Sequence, residues 1–116
     1  MQPSQCLFCR IIEGAVPSKE VYRDERLYAF RDANPQALTH VLIVPCRHIS
    51  TLNDLTPAED LLVGEMVRRA SLIARELGYR DRGYRLVCNS GPDAGQSVFH
   101  IHVHLLAGRR LGWPPG

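Results

Sequence analysis

The chain has 116 residues, 45% of them hydrophobic and 22% charged, with a formal net charge of +2. That is enough for a single domain, residues 1–116, with its own core, and too weakly charged to suggest a nucleic-acid or membrane surface. The start, MQPSQCLFCR, has no charged region followed by an apolar one, and no apolar run is long enough to span a bilayer. A cytoplasmic protein is therefore expected, with Cys6, Cys9, Cys46 and Cys88 reduced and serving as metal ligands or packing residues.

Residues 6–12 predict a short helix. Leu7, Phe8, Ile11 and Ile12 fall at helical spacings, and Gly14 and Pro17 end the pattern. Cys6 and Cys9 would leave that helix from one turn. A Cys-x-x-Cys pair alone is open to metal binding, redox chemistry or chance.

Residues 20–23 and 26–32 predict a hairpin around Asp24-Glu25. Asp32 closes its second strand before the Asn34-Pro35 turn, where a carboxylate can cap the turn or accept hydrogen bonds from a ribose diol. Residues 40–45 are too apolar to face water on both sides and predict a strand, opened by His40 and followed by His48.

Thr56-Pro57-Ala58-Glu59 is a capping box with proline at the first helical position. A long helix is expected from there to about Leu77, stopped by Gly78. Leu62, Met66, Ala70, Ile73 and Leu77 form its apolar stripe, widened by Val63, Val67 and Ala74. The face is wider than one sheet contact needs, so part of it is expected to pack on a second copy.

Residues 84–89 predict another strand. The loop 90–97 that follows holds Gly91, Pro92 and Gly95; its amides and Ser97 can cradle an anion, with Asn89 at its other end. An ordinary hairpin connection fits the same pattern.

Residues 100–106 alternate histidine with apolar residues, which predicts a strand. His100, His102 and His104 would share one face at intervals of about 6.5–7 Å, while Ile101, Val103 and Leu105 enter the core. Two readings compete here. The row is a catalytic zinc site, or its middle imidazole is a nucleophile supported by its neighbours. Beyond it, Trp113-Pro114-Pro115-Gly116 is stiff and extended, and a tryptophan so placed is expected to dock on a partner subunit.

Residues 100–106 match His-φ-His-φ-His-φ-φ, φ being hydrophobic, at every position. With them the chain resembles the histidine triad (HIT) superfamily. Segments 30–32, 40–45 and 95–97 resemble other family segments, and the final Trp-Pro-Pro-Gly is similar to the histidine-triad nucleotide-binding (HINT) branch. The resemblance implies an α+β, HIT-like fold: an antiparallel sheet of about five strands, one long helix and a short N-terminal helix. It also implies a homodimer with a continuous sheet.

The activity implied is hydrolysis of purine nucleoside 5′-phosphoramidates through a covalent nucleotidyl-histidine. Hydrolysis of dinucleoside polyphosphates, or nucleotide binding by a non-enzymatic regulator, are the alternatives. By resemblance, His102 matches the nucleophile, His104 the histidine that holds phosphate and handles protons, and His40 its upstream partner. Ser97 matches a contact to the phosphate or leaving amine, Asp32 the ribose ligand, and Asn89 a phosphate-side contact. Gln96 would join the loop amides in stabilising transition-state charge. Leu7, Phe8, Ile11, Phe30 and Ala33 match the apolar slot for the base, and Gly95 and Val98 complete the nucleotide site.

The cysteine pair departs from animal HINT proteins and is similar to many bacterial histidine-triad proteins. That pattern implies a structural Zn2+ held by Cys6, Cys9, His48 and His100, closed to solvent ligands and leaving His102 free. The alternative is a metal-free pair with His100 hydrogen-bonded. Cys46 and Cys88 are then packing residues. Galactose-1-phosphate uridylyltransferases carry glutamine at the third triad position, so His104 favours hydrolysis over transfer.

Overall fold

A computed structural model describes residues 5–116; the reading of the first four residues lies outside the described residues. Helix α1 spans Leu7–Ile12, and the Cys6 sulfur caps it by accepting the Cys9 N–H at 3.4 Å. Five strands follow in one antiparallel sheet: β1 (Glu20–Arg23), β2 (Leu27–Arg31), β3 (Thr39–Pro45), β4 (Arg85–Val87) and β5 (Val103–Ala107). Their spatial order is β1-β2-β3-β5-β4. Helix α2, Asp60–Glu76, connects β3 to β4.

Alternation along the strands sorts side chains onto two faces. Val41 and Ile43 of β3, with Val103 and Leu105 of β5, pack with Met66, Ala70, Ile73 and Ala74 of α2. Ile101 joins them, as its place in the histidine row predicts. Leu42 and Val44 take the opposite face, under Phe8 and Ile11 of α1 and beside Tyr28 and Phe30 of β2. The register that places His104 of β5 opposite Leu42, and His40 of β3 opposite Leu106, puts both histidines on this second face.

The long helix begins as predicted, but its capping box opens a 3-10 turn, Pro57–Glu59, before α-helix takes over. Leu61 and Val67 are exposed on it, with Leu61 at 79%. Trp113 is 82% exposed; its neighbour Gly112 accepts from the Arg85 guanidinium at 2.8 Å. Among the described residues, no helix is long and apolar enough to cross a membrane.

Three expectations need correction. Strand β4 stops at Val87, not at residue 89. The histidine row is not all in the ladder: only His104 is, because β4 ends opposite it and the Ile101 N–H goes instead to the Ile49 carbonyl at 2.7 Å. Cys88, expected to pack, is exposed, whereas Cys46 packs against the α1-side cluster.

Candidate active site and metal cluster

The second sheet face opens into a cleft of about 780 Å³, within the range usual for small-molecule sites. His40, His102, His104, Asp32 and Ser97 line it. So do Leu7, Phe8, Ile11, Phe30 and Ala33, expected at the base slot, and Val98, expected in the nucleotide site. Phe8 stands edge-on to both Phe30 and the His102 ring, at centroid distances of 5.5 and 5.0 Å.

Hydrogen bonds to groups of fixed character decide which nitrogen of each ring carries the proton. His102 Nδ1 lies 2.7 Å from the His100 carbonyl, which only accepts, so Nδ1 holds the proton. Its Nε2 lone pair is free. Among the described residues no buried side-chain nitrogen or oxygen lacks a partner, so Nε2, which has none, reaches the cleft surface. Burial first, and the nearby His40 ring after it, holds this imidazole below its ordinary pKa; the same carbonyl opposes that shift. The ring is therefore neutral at pH 7, as a nucleophile must be.

His40 is fixed the opposite way round. The Gln36 N–H donates to its Nδ1 at 3.0 Å, so the proton sits on Nε2. That Nε2–H faces His104 Nδ1 at 2.9 Å and Asp32 Oδ2 at 3.4 Å. His104 then carries its own proton on Nε2, the nitrogen left for the cleft. Burial, then the His102 and His40 rings, push His104 down to about 4. Asp32 also caps its turn, its Oδ1 accepting the Asn34 N–H at 2.8 Å while Oδ2 faces His40.

A second cluster lies behind His102. Cys6, Cys9, His48 and His100 place four ligand atoms within 4.8 Å of one another. Cys9 Sγ lies 3.4 Å from His48 Nδ1 and 3.5 Å from His100 Nδ1, and Cys6 Sγ lies 3.4 Å from His100 Nδ1. A tetrahedral zinc with ordinary Zn–S and Zn–N bonds spaces sulfur and nitrogen by about 3.5 Å. His100 Nε2–H donates to the Pro45 carbonyl at 2.7 Å, leaving Nδ1 as the lone pair that a metal needs. Burial holds His100 near 4, and burial followed by the neighbouring Cys6 thiol lifts the Cys9 thiol to about 11. This donor set fits a closed tetrahedral metal.

Asp32, His40 and His104 also bring three potential ligands together. The Gln36 amide argues against a metal there, because it keeps the proton on the nitrogen that would have to bind.

Gln96 and its neighbours depart from expectation. Its side chain is buried outside the cleft: Nε2 donates to the Ser50 and Val98 carbonyls at 2.7 and 3.2 Å, and Oε1 accepts the Gly91 N–H at 2.9 Å. Its amide has no donor left for a phosphate; it braces the loop that presents Ser97. Gly95 and Asn89 do not line the cleft either. Sequence reasoning missed Leu42, Lys19, Arg31 and Leu38, which do. Leu42 was within reach, since it lies two residues from His40 on one strand. Arg31 ends β2 beside Asp32, and Lys19 and Leu38 depend on how loops close over the sheet.

Comparison with known proteins places this geometry. The HIT domain profile matches residues 13–111. A purine nucleoside phosphoramidase of Escherichia coli (strain K12) is 44% identical, over 93% of this chain and 91% of that protein. A 14 kDa zinc-binding protein of Zea mays is 46% identical, over 100% of this chain and 91% of its own length. The crystal structure of a HIT family hydrolase from Legionella pneumophila Philadelphia 1 superposes with a TM-score of 0.95 at 46% identity, covering 97% of this chain and 100% of that one.

Proposed function

We propose, from the premise that this chain belongs to the HIT domain family, that it is a hydrolase of purine nucleoside 5′-phosphoramidates working through a nucleotidyl-His102 intermediate. The observation that carries the reading is the 2.7 Å bond from His102 Nδ1 to the His100 carbonyl, which turns an unprotonated Nε2 toward the cleft.

The base enters the apolar slot between Phe8, Phe30 and Val98, and Asp32 takes the ribose hydroxyls. His102 Nε2 attacks the α-phosphorus, the P–N bond breaks, and the departing nitrogen takes up one proton. Charge arising on His102 is met by the carbonyl on its Nδ1–H. Water then attacks the same phosphorus, the P–Nε2 bond breaks, and one proton is returned. That proton is exchanged with solvent in the open cleft, while the His104 Nε2–H donates to the phosphate and Ser97 lines the same cleft. One hard displacement becomes two easier ones.

The metal read from Cys6, Cys9, His48 and His100 is a structural zinc; when bound, it staples α1 and the segment after β3 to the residues leading into β5. Exposed Leu61, Val67 and Trp113 support a homodimer with the C-terminal tail against the partner subunit. The test of substrate class is turnover of adenosine 5′-phosphoramidates against dinucleoside polyphosphates. Faster cleavage of the P–N substrates, lost in His102→Ala, is expected. Preference for polyphosphates moves the reading to that class, and no turnover of either leaves a nucleotide-binding regulator.

A further inference from the structure

We infer that Arg109 is a positioning residue for this reaction, acting through Gln36 on the proton direction of the His40–His104 pair. Arg109 follows β5 and directs Nε and Nη2 at the Gln36 carbonyl, at 3.1 and 3.0 Å, while Nη1 donates to the Arg110 carbonyl at 3.2 Å. Across the Gln36 Cα, the N–H of that residue donates to His40 Nδ1 at 3.0 Å. His40 Nε2 in turn meets His104 Nδ1 at 2.9 Å. One chain of contacts therefore runs from a guanidinium outside the cleft to an imidazole within it. The inference rests on the phosphoramidase reading for its catalytic consequence, not for its geometry.

The direction of the chain is what matters. With the Gln36 N–H in place, His40 must accept at Nδ1 and donate from Nε2, and His104 must keep its proton on the cleft-facing nitrogen. Without that amide, His40 is free to carry its proton on Nδ1. His104 Nδ1–H would then donate to His40, and the cleft-facing Nε2 would become a bare lone pair. A donor toward phosphate oxygen turns into an acceptor that repels it. Asp32 Oδ2, at 3.4 Å from His40 Nε2, favours the same direction but is the more distant of the two controls.

Gln36 needs an external hold. Its segment, residues 32–38, is irregular; the Asp32 N–H ties its base to the His40 carbonyl at 2.9 Å, but beyond that its own bonds are local, Asn34 N–H to Asp32 Oδ1 and Gln36 Nε2 to the Asn34 carbonyl. Arg109 reaches it from 73 residues away in sequence. The turn that delivers Arg109 is pressed against the same segment, since a Cβ on Gly108, whose φ is +100°, would stand 2.6 Å from Leu38 Cβ. Lysine cannot replace this grip, because it offers a point donor where guanidinium offers a planar fork.

The test is the tautomer itself, read by long-range 1H–15N correlation of the imidazoles in the purified protein and in Arg109→Met. The parent should show His40 and His104 each with the proton on Nε2. Arg109→Met should show a mixture, with kcat lowered about tenfold or more and KM changed less than about threefold. Parent-like tautomers and kcat in that variant overturn the inference. Should Arg109→Met fail to fold, Arg109→Gln carries the same expectation and the same refutation. If the parent turns over no phosphoramidate, the functional reading fails separately, and the tautomers still decide: a switch supports the role of Arg109, and none overturns it.

Discussion

Gln96→Glu separates a brace from a catalytic group. The substitution keeps size and shape and exchanges one NH2 for an oxygen. In the parent that NH2 donates to two carbonyls, Ser50 at 2.7 Å and Val98 at 3.2 Å, from a buried position. In the variant a carboxylate oxygen faces both carbonyl oxygens, while the Gly91 N–H keeps its acceptor. Two acceptors lose their donor, each at about 1–3 kcal/mol, so a destabilisation of roughly 2–6 kcal/mol is expected. That is a large part of a total stability of about 5–15 kcal/mol. Urea unfolding at pH 7 reads it directly. The deficit should shrink at lower pH, because the variant's carboxyl has a raised pKa and, once protonated, can donate to one of the carbonyls. A loss below about 1 kcal/mol, with activity abolished, would show that Gln96 serves the phosphate and that the loop stands without it.

Two further outcomes follow from the same geometry. The parent should purify with zinc and Cys6→Ser without it and with a lower Tm; equal metal content in both, by elemental analysis, would remove the metal from the account. Stability should be full above pH 6.5 and fall as pH drops from there toward 4: burial keeps the folded His40 and His104 rings neutral while the unfolded chain protonates them. The slope is at most about 1.4 kcal/mol per pH unit per histidine. It should be shallower in His104→Gln, and an equal slope in that variant refutes the assignment.

Much of the fold was legible because alternation is a local property. The apolar partners Ile101, Val103 and Leu105 declare the core face of their segment wherever the chain goes, and the structure buries all three under α2. The capping box at Thr56 likewise needs only its own four residues. The site was legible more unevenly. Cys6 and His100 are 94 residues apart, and no spacing rule joins them; only resemblance to a family pattern did. Gln96 was misread because its role is set by a carbonyl 46 residues away, which its sequence neighbours do not announce. The histidine row looked like one uniform strand because periodicity cannot show that β4 ends at Val87, leaving His100 and His102 outside the ladder. That break separates their tasks: His100 turns to the cysteines, and His102 to the cleft.

The most direct measurement is the intact mass of protein quenched within the first turnovers on an adenosine 5′-phosphoramidate. The account predicts a species heavier by one adenylyl group, mapped by acid-sparing digestion to His102 and missing from His102→Ala. Full turnover by a parent that never carries the adduct, or by His102→Ala itself, would contradict it.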